Sequence, residues 1–260
     1  MRLKHHLGQN LLINNELARQ IVEAAGITKT DTVLEIGTGT GALTQHLAEC
    51  AHTVFSVEKD PEMASLAEAA CRHYNNIVFI NDDFLHVDVP KVIPGAYTVV
   101  ANIPYYITQK IIMLLLESSH PPKKALLMMQ KEVALRLIGD RKYRSALTIF
   151  TAYLAHTRQI FAVGKENFNP EPEVDSAVVE FIPTTPAERV FSPDEQRKFF
   201  SFIKAGFSHR RKKLKNNIRS LAPDIAAHLT ALHLAVDCRP ADLALDDWIR
   251  LYQHIHLSTS

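Results

Sequence analysis

Val33-Leu34-Glu35-Ile36-Gly37-Thr38-Gly39-Thr40-Gly41 is an apolar strand running into a glycine-rich turn, and Ala42 to Cys50 follow with helical patterning. Glycines at such a turn let the backbone approach a ligand at the positive end of the helix. The spacing is GxGxG and not the GxGxxG of dinucleotide binders, which argues against a dehydrogenase. A second strand, Thr53 to Val57, ends in Glu58. A carboxylate about 20 residues past the first glycine is the usual grip on two ribose hydroxyls. A third apolar segment, Ile77 to Ile80, ends in Asn81-Asp82-Asp83-Phe84, where an acid and a ring suit the amine and the face of an adenine. One glycine turn alone is often only a tight connection. Successive strand ends that each carry a ligand-type residue predict an S-adenosylmethionine (SAM) site, with Gly37, Gly39, Glu58, Asp83 and Phe84 as candidates.

The fourth strand, 97–102, runs into Asn102-Ile103-Pro104-Tyr105. On its own this tetrad also reads as a turn marked by proline. Beside a SAM site it has the groups needed to methylate a planar amine. The Asn oxygen accepts one hydrogen of an exocyclic NH2, a carbonyl at or before the proline takes the other, and the ring stacks on the base.

Working outward, a helix is expected from Asn14 to Ala25 and a fifth strand over 124–129. Strands alternating with helices predict a doubly wound parallel sheet, with its ligand site at the carboxyl ends of the strands. Lys131 to Ile138 and Ala146 to Leu154 read as helical, and Gln159 to Val163 with Ser176 to Ile182 as a closing hairpin. Between those strands, Asn167-Phe168-Asn169-Pro170-Glu171-Pro172-Glu173 is too rich in proline for a regular element. Thr184-Thr185-Pro186 marks the expected boundary between a catalytic domain, 1–185, and a small helical domain, 186–260. In the second domain Ser192-Pro193-Asp194-Glu195 signals a helix start, and Asp246 to His254 a last amphipathic helix.

At 260 residues, 47% hydrophobic and 22% charged, the composition is that of an ordinary globular protein. Three scattered cysteines form no CxxC pair, so no disulfide framework and no metal site is expected. The His5-His6 pair has no partner ligand at helical spacing. A reducing, cytoplasmic setting fits, and no apolar run approaches the roughly 20 residues of a membrane span. Net charge is only +1, but Lys204 to Arg219 holds seven Lys/Arg and no acid. With Phe207, Leu214 and Ile218 interspersed, this stretch predicts a helix with one apolar stripe and one phosphate-facing side. Lys204, Arg210, Arg211, Lys212, Lys213 and Lys215 are its candidate RNA contacts.

Together these motifs resemble the ribosomal RNA adenine dimethyltransferases of the KsgA type, and more distantly the Erm methylases. The matches are Gly8-Gln9-Asn10-Leu11-Leu12, EIGTGTGALT, Glu58, Asp83, NIPYYIT, QKEVALRL, the segment from Phe168 to Ser176, and AGFSHRRKKLKNN. They span nearly the whole chain. The resemblance implies a Rossmann-like α/β sheet that binds SAM, followed by a small C-terminal helical domain. Asn10, Leu12, Gly37, Glu58, Asp83 and Asn102 fall where the family contacts SAM, and Asn102, Pro104, Tyr105 and Phe168 where it holds the target adenine. Leu11 stands where Phe is common, Thr38 for Pro, Tyr106 for Asn and Glu173 for Lys. The first two are expected to be neutral packing changes, and the last two to flank the target pocket.

The implied reaction is dimethylation of adenosine amines in small-subunit (16S) ribosomal RNA during ribosome maturation, by a monomer that needs no membrane. The amine would be held by Asn102 and by a carbonyl at Ile103 or Pro104, with the base flipped out and clamped between Tyr105 and Phe168. One alternative is Erm-type methylation of large-subunit RNA, which confers antibiotic resistance. A DNA adenine methylase commonly has an acid at the first position of the tetrad. A third reading is a non-catalytic assembly factor that binds pre-ribosomal RNA.

Overall fold

The computed structural model describes residues 10–139 and 143–256. His5-His6 and the Gly8-Gln9 part of the first motif lie outside them. Two compact units divide the chain. One takes the sequence up to Ala134 together with Ala155–Pro183, and the other takes Leu135–Leu154 and the sequence from Thr184 onward.

In the first unit, β1 (Leu11–Leu12) is followed by α1 (Asn15–Ala25), β2 (Thr32–Ile36), α2 (Ala42–Cys50), β3 (Thr53–Glu58), α3 (Pro61–Ala70), β4 (Ile77–Asn81), α4 (Val89–Val92), β5 (Thr98–Asn102), α5 (Thr108–Glu117) and β6 (Lys124–Gln130). Each parallel strand lies within a residue of its expected span. The Asn14 side chain accepts from the Leu17 amide to start α1, and Gly26, at φ 60°, ends it. One face of α1 buries Leu17, Ile21 and Val22 in a cluster with Leu43 and Leu47 of α2 and Val33, Val100 and Leu126 of the sheet.

After α6 (Lys131–Leu137) and α7 (Ala146–Leu154) come β7 (Ala155–Val163), β8 (Phe168–Asn169) and β9 (Ser176–Pro183). The large sheet has the order β4-β3-β2-β5-β6-β9-β7. Its first five strands are parallel, while β9 lies antiparallel between β6 and β7. The closing hairpin is therefore inserted with its second strand inward. Strand β7 begins at Ala155, directly after α7, and is longer than expected. Phe168-Asn169 was expected to be irregular but forms a strand, because it pairs with Leu11-Leu12 in a separate antiparallel ribbon. The prolines start only after that pairing ends.

In the second unit, α7 packs against α8 (Pro193–Gly206) and α11 (Leu245–His256), while α9 (Leu214–Asn217) packs on α8 and α10 (Ile225–Ala231) on α11. The expected boundary at 185 puts α7 with the sheet. Its side chains go elsewhere, because Phe150 stacks on Phe200 at 4.4 Å and Tyr153 packs against Phe191 and Phe199. Trp248, fully buried, completes the core against Gly206, where an added Cβ would meet its ring at 2.3 Å. Among the described residues no helix is long and apolar enough to cross a membrane.

Candidate active site

Strand β2 has β3 on one side and β5 on the other, so the direction of winding reverses there. In open α/β sheets, ligand crevices lie beyond the carboxyl ends of the strands at such a reversal. A cavity opens at this point, and Asn10, Leu12, Gly37, Gly39, Glu58, Asp83, Phe84, Asn102, Pro104 and Tyr105 all line it. Residues nominated from separate strand ends are thus brought to one wall.

The glycine turn is close to the tetrad. Gly37 has φ 83°, and a Cβ added there would lie 3.4 Å from the Asn102 carbonyl. A side chain at Gly37 would be strained and would crowd the crevice. The Glu58 carboxylate accepts from the Gly39 amide at 3.0 Å and the Asp60 amide at 2.9 Å. It is fixed in place by the turn it faces, with lone pairs left for hydroxyl donors. Asp83 accepts from Lys59 at 2.8 Å and from the Leu85 amide at 3.1 Å. The Lys59 hydrogen bond holds its carboxyl below the usual range. Phe84 contributes a nearly buried face to the same wall.

Glu35, which the sequence leaves without a role, is completely buried. Burial pushes its carboxyl up to about 8, against the pull of hydrogen bonds from Ser56 and Thr44. The shift favours the neutral form, which avoids a buried unpaired charge. Ser56 and Thr44 reach the same carboxyl oxygen at 2.6 and 2.7 Å, and Ser56 also bonds Thr38 of the glycine turn. Thr38 is therefore not a neutral packing change. Its hydroxyl ties the turn to β2 and β3, which a proline there has no group to do. An acid inside an apolar run was the available sign, since such residues are seldom buried without partners.

At the tetrad, the Asn102 amide nitrogen donates to the Asn10 carbonyl at 3.4 Å, leaving its oxygen as an acceptor. The Pro104 carbonyl already accepts from the Ile107 amide and the Thr108 hydroxyl, both at 3.2 Å. The Pro104 carbonyl is thus already engaged, and Ile103 lines the same cavity. The Tyr105 hydroxyl lies 2.7 Å from Ser176. Tyr106 is half exposed and lines the cavity, while Glu173 is exposed and does not.

Phe168 is not on the cavity wall. It is 3% exposed within the apolar cluster, in register with Leu12, which does line the cavity. Of the expected clamp of two rings, Tyr105 is on the wall, while Phe168 is buried in the apolar cluster beside its partner Leu12.

The basic stretch is not one helix. α8 stops at Gly206, a turn covers 207–212, and α9 is a single short piece. Like charges at helical spacing repel, and the apolar residues are needed inside, with Leu214 and Ile218 fully buried. Asn217 bridges the break by donating to the carbonyls of Gly206 and His209. Arg210, Arg211, Lys212 and Lys213 are exposed on this turn. Lys204 lies 5.7 Å over the Phe150 ring. The acid missing from the stretch comes from outside it. Asp237 pairs with Lys213 and Lys215, each at 2.8 Å, and they hold its carboxyl down to about 2.

A sheet with its cavity at the winding reversal, a glycine turn and an Asn-Ile-Pro-Tyr tetrad is the arrangement of a methyltransferase. The family model described as ribosomal RNA adenine dimethylase matches residues 1–256. A ribosomal RNA small subunit methyltransferase A from Lactiplantibacillus plantarum is 36% identical, over 98% of this chain and 91% of that protein. Among solved structures, a dimethyladenosine transferase from Plasmodium falciparum aligns with a TM-score of 0.75 at 29% identity, covering 93% of this chain and 95% of the other. The 23S rRNA methyltransferase ErmE aligns with a TM-score of 0.78 at 28% identity, covering 95% and 99%. The chain belongs to the ribosomal RNA adenine dimethylase family.

Proposed function

We propose that this protein transfers methyl groups from SAM to the exocyclic amine of adenosines in small-subunit ribosomal RNA, twice at each target. The supporting observation is the tetrad, where Asn102 and Ile103 line the cavity beside the glycine turn and the Asn102 nitrogen is already engaged, leaving its oxygen to accept. The cavity suits the cofactor, with a backbone cradle at Gly37 and a fixed carboxylate at Glu58.

SAM supplies an electrophilic methyl on a sulfonium, so displacement leaves a neutral thioether. Glu58 would hold the ribose hydroxyls, Asp83 the adenine amine, and Phe84 the adenine face. Asn102 and Ile103 would accept the two hydrogens of the target amine, which pulls its lone pair out of conjugation and aims it at the methyl. The proton leaves to solvent after transfer. Positioning and fixed dipoles supply the acceleration. The second transfer requires the pocket to admit a monomethylated amine. The substrate would be RNA in an immature small subunit, met by a monomer in the cytoplasm.

Labelled SAM incubated with unmethylated small and large ribosomal subunits tests this reading. Dimethyladenosine in small-subunit RNA is expected. Label in the large subunit alone would make the protein a resistance-type methylase, and binding without label would make it an assembly factor.

Two predictions arise here. Glu58→Ala should weaken SAM binding by roughly 1.5–3 kcal/mol, the worth of hydrogen bonds to a charged group. Its RNA affinity without cofactor should stay the same, and calorimetry that gives an unchanged SAM affinity would remove Glu58 from the site. We also propose that the turn carrying Arg210, Arg211 and Lys212 meets RNA phosphates. Each contact contributes roughly 0.7–0.9 to the log–log salt slope of binding. Replacing all three with Gln should flatten that slope by about two to three, without changing SAM affinity. A slope equal to the wild type's would assign them to solvent.

A further inference from the structure

Tyr105 belongs to a single 3-10 turn, Tyr105–Ile107, that follows Pro104 and has no side-chain cap. The hydrogen bond described for its side chain comes from outside that element. What holds it is 71 positions away in sequence, where the Ser176 hydroxyl meets the phenol at 2.7 Å. Ser176 is completely buried at the start of β9. Its backbone is locked on both sides, in register with Gln130 of β6 and Val163 of β7. The hydroxyl is therefore attached to a rigid part of the sheet, while the phenol is attached to a turn. Burial also raises the Tyr105 phenol above its ordinary value, so it stays protonated at working pH and keeps the hydrogen bond neutral.

We propose that Ser176 is a positioning residue for methyl transfer, fixing where the Tyr105 ring stands beside the incoming adenine. This rests on the proposed use of the tetrad for base binding. A stacking ring free to rotate about its two side-chain torsions would present its face only part of the time. One bond from the sheet pins the phenol end of the ring, and with it the swing about the first torsion, before the base arrives.

The test compares Ser176→Ala, Tyr105→Phe, the double variant and Tyr105→Ala in the full chain, using ribosomal subunits and SAM. Ser176→Ala and Tyr105→Phe should each lower kcat about tenfold, the scale of one neutral hydrogen bond. SAM affinity should match the wild type, and the double variant should be no worse than either single one. Tyr105→Phe keeps the ring and leaves Ser176 in place, so it reports even if Ser176→Ala fails to fold. If Tyr105→Ala abolishes turnover while Tyr105→Phe keeps full kcat, the positioning role is overturned and base binding at the tetrad stands. Full activity in Tyr105→Ala would instead overturn the tetrad reading, and the inference with it. Additive losses in the double variant would also overturn the pairing.

Discussion

Asn102→Ala is expected to slow methyl transfer by on the order of 10²–10³, the usual cost of removing one fixed acceptor or donor from a reacting centre. The residue ends β5, where its backbone pairs with Met128 and its neighbours Val100 and Ala101 fill the core. The side chain is only partly buried and lies outside the apolar core, so the fold should survive and the loss should appear in kcat. Its nitrogen is held by the Asn10 carbonyl, so the oxygen is oriented before substrate arrives. Asn102→Asp keeps an acceptor but loses that nitrogen, and should retain more activity than Ala at saturating SAM. Single-turnover rates measure the effect directly. A rate within a fewfold of wild type in the Ala variant would place the acceptor elsewhere.

Much of this site was legible because its parts are local. Gly37, Glu58, Asp83 and Asn102 each sit at the end of a strand that its own apolar run announces, and a parallel sheet gathers such ends at one edge. What was not legible depends on contacts distant in sequence. No local pattern says that Ser176 meets Tyr105, that Asp237 pairs with Lys213 and Lys215, or that Leu12 pairs with Phe168. The sequence of α7 reads as a helix either way, and the rings of Phe191, Phe199 and Phe200 decide which core it joins. The basic stretch misled for a related reason. Its apolar spacing suits a helix, but burying Leu214 and Ile218 while Gly206 touches Trp248 requires a break.

Phe168→Ala is expected to destabilise the sheet-bearing unit by about 3–5 kcal/mol, the range for deleting a buried ring. The ring is 3% exposed in a cluster with Leu12, Val163 and Val178, and removing it opens a cavity behind Leu12 on the cofactor wall. SAM binding should weaken along with stability, since Leu12 loses its support. A ring that stacked on a flipped base would behave differently, costing about 1–3 kcal/mol in substrate binding and leaving the melting temperature alone. Phe168→Leu separates the two cases. Leucine refills most of the volume with apolar atoms but has no aromatic face. It should keep most of the stability and turn over within a fewfold of wild type if Phe168 acts by packing. A stable Leu variant whose methyl transfer collapsed would show that the ring leaves the core to reach the base, and would restore the clamp of two rings. Thermal unfolding with and without SAM, read beside single-turnover rates, distinguishes these outcomes in one set of proteins.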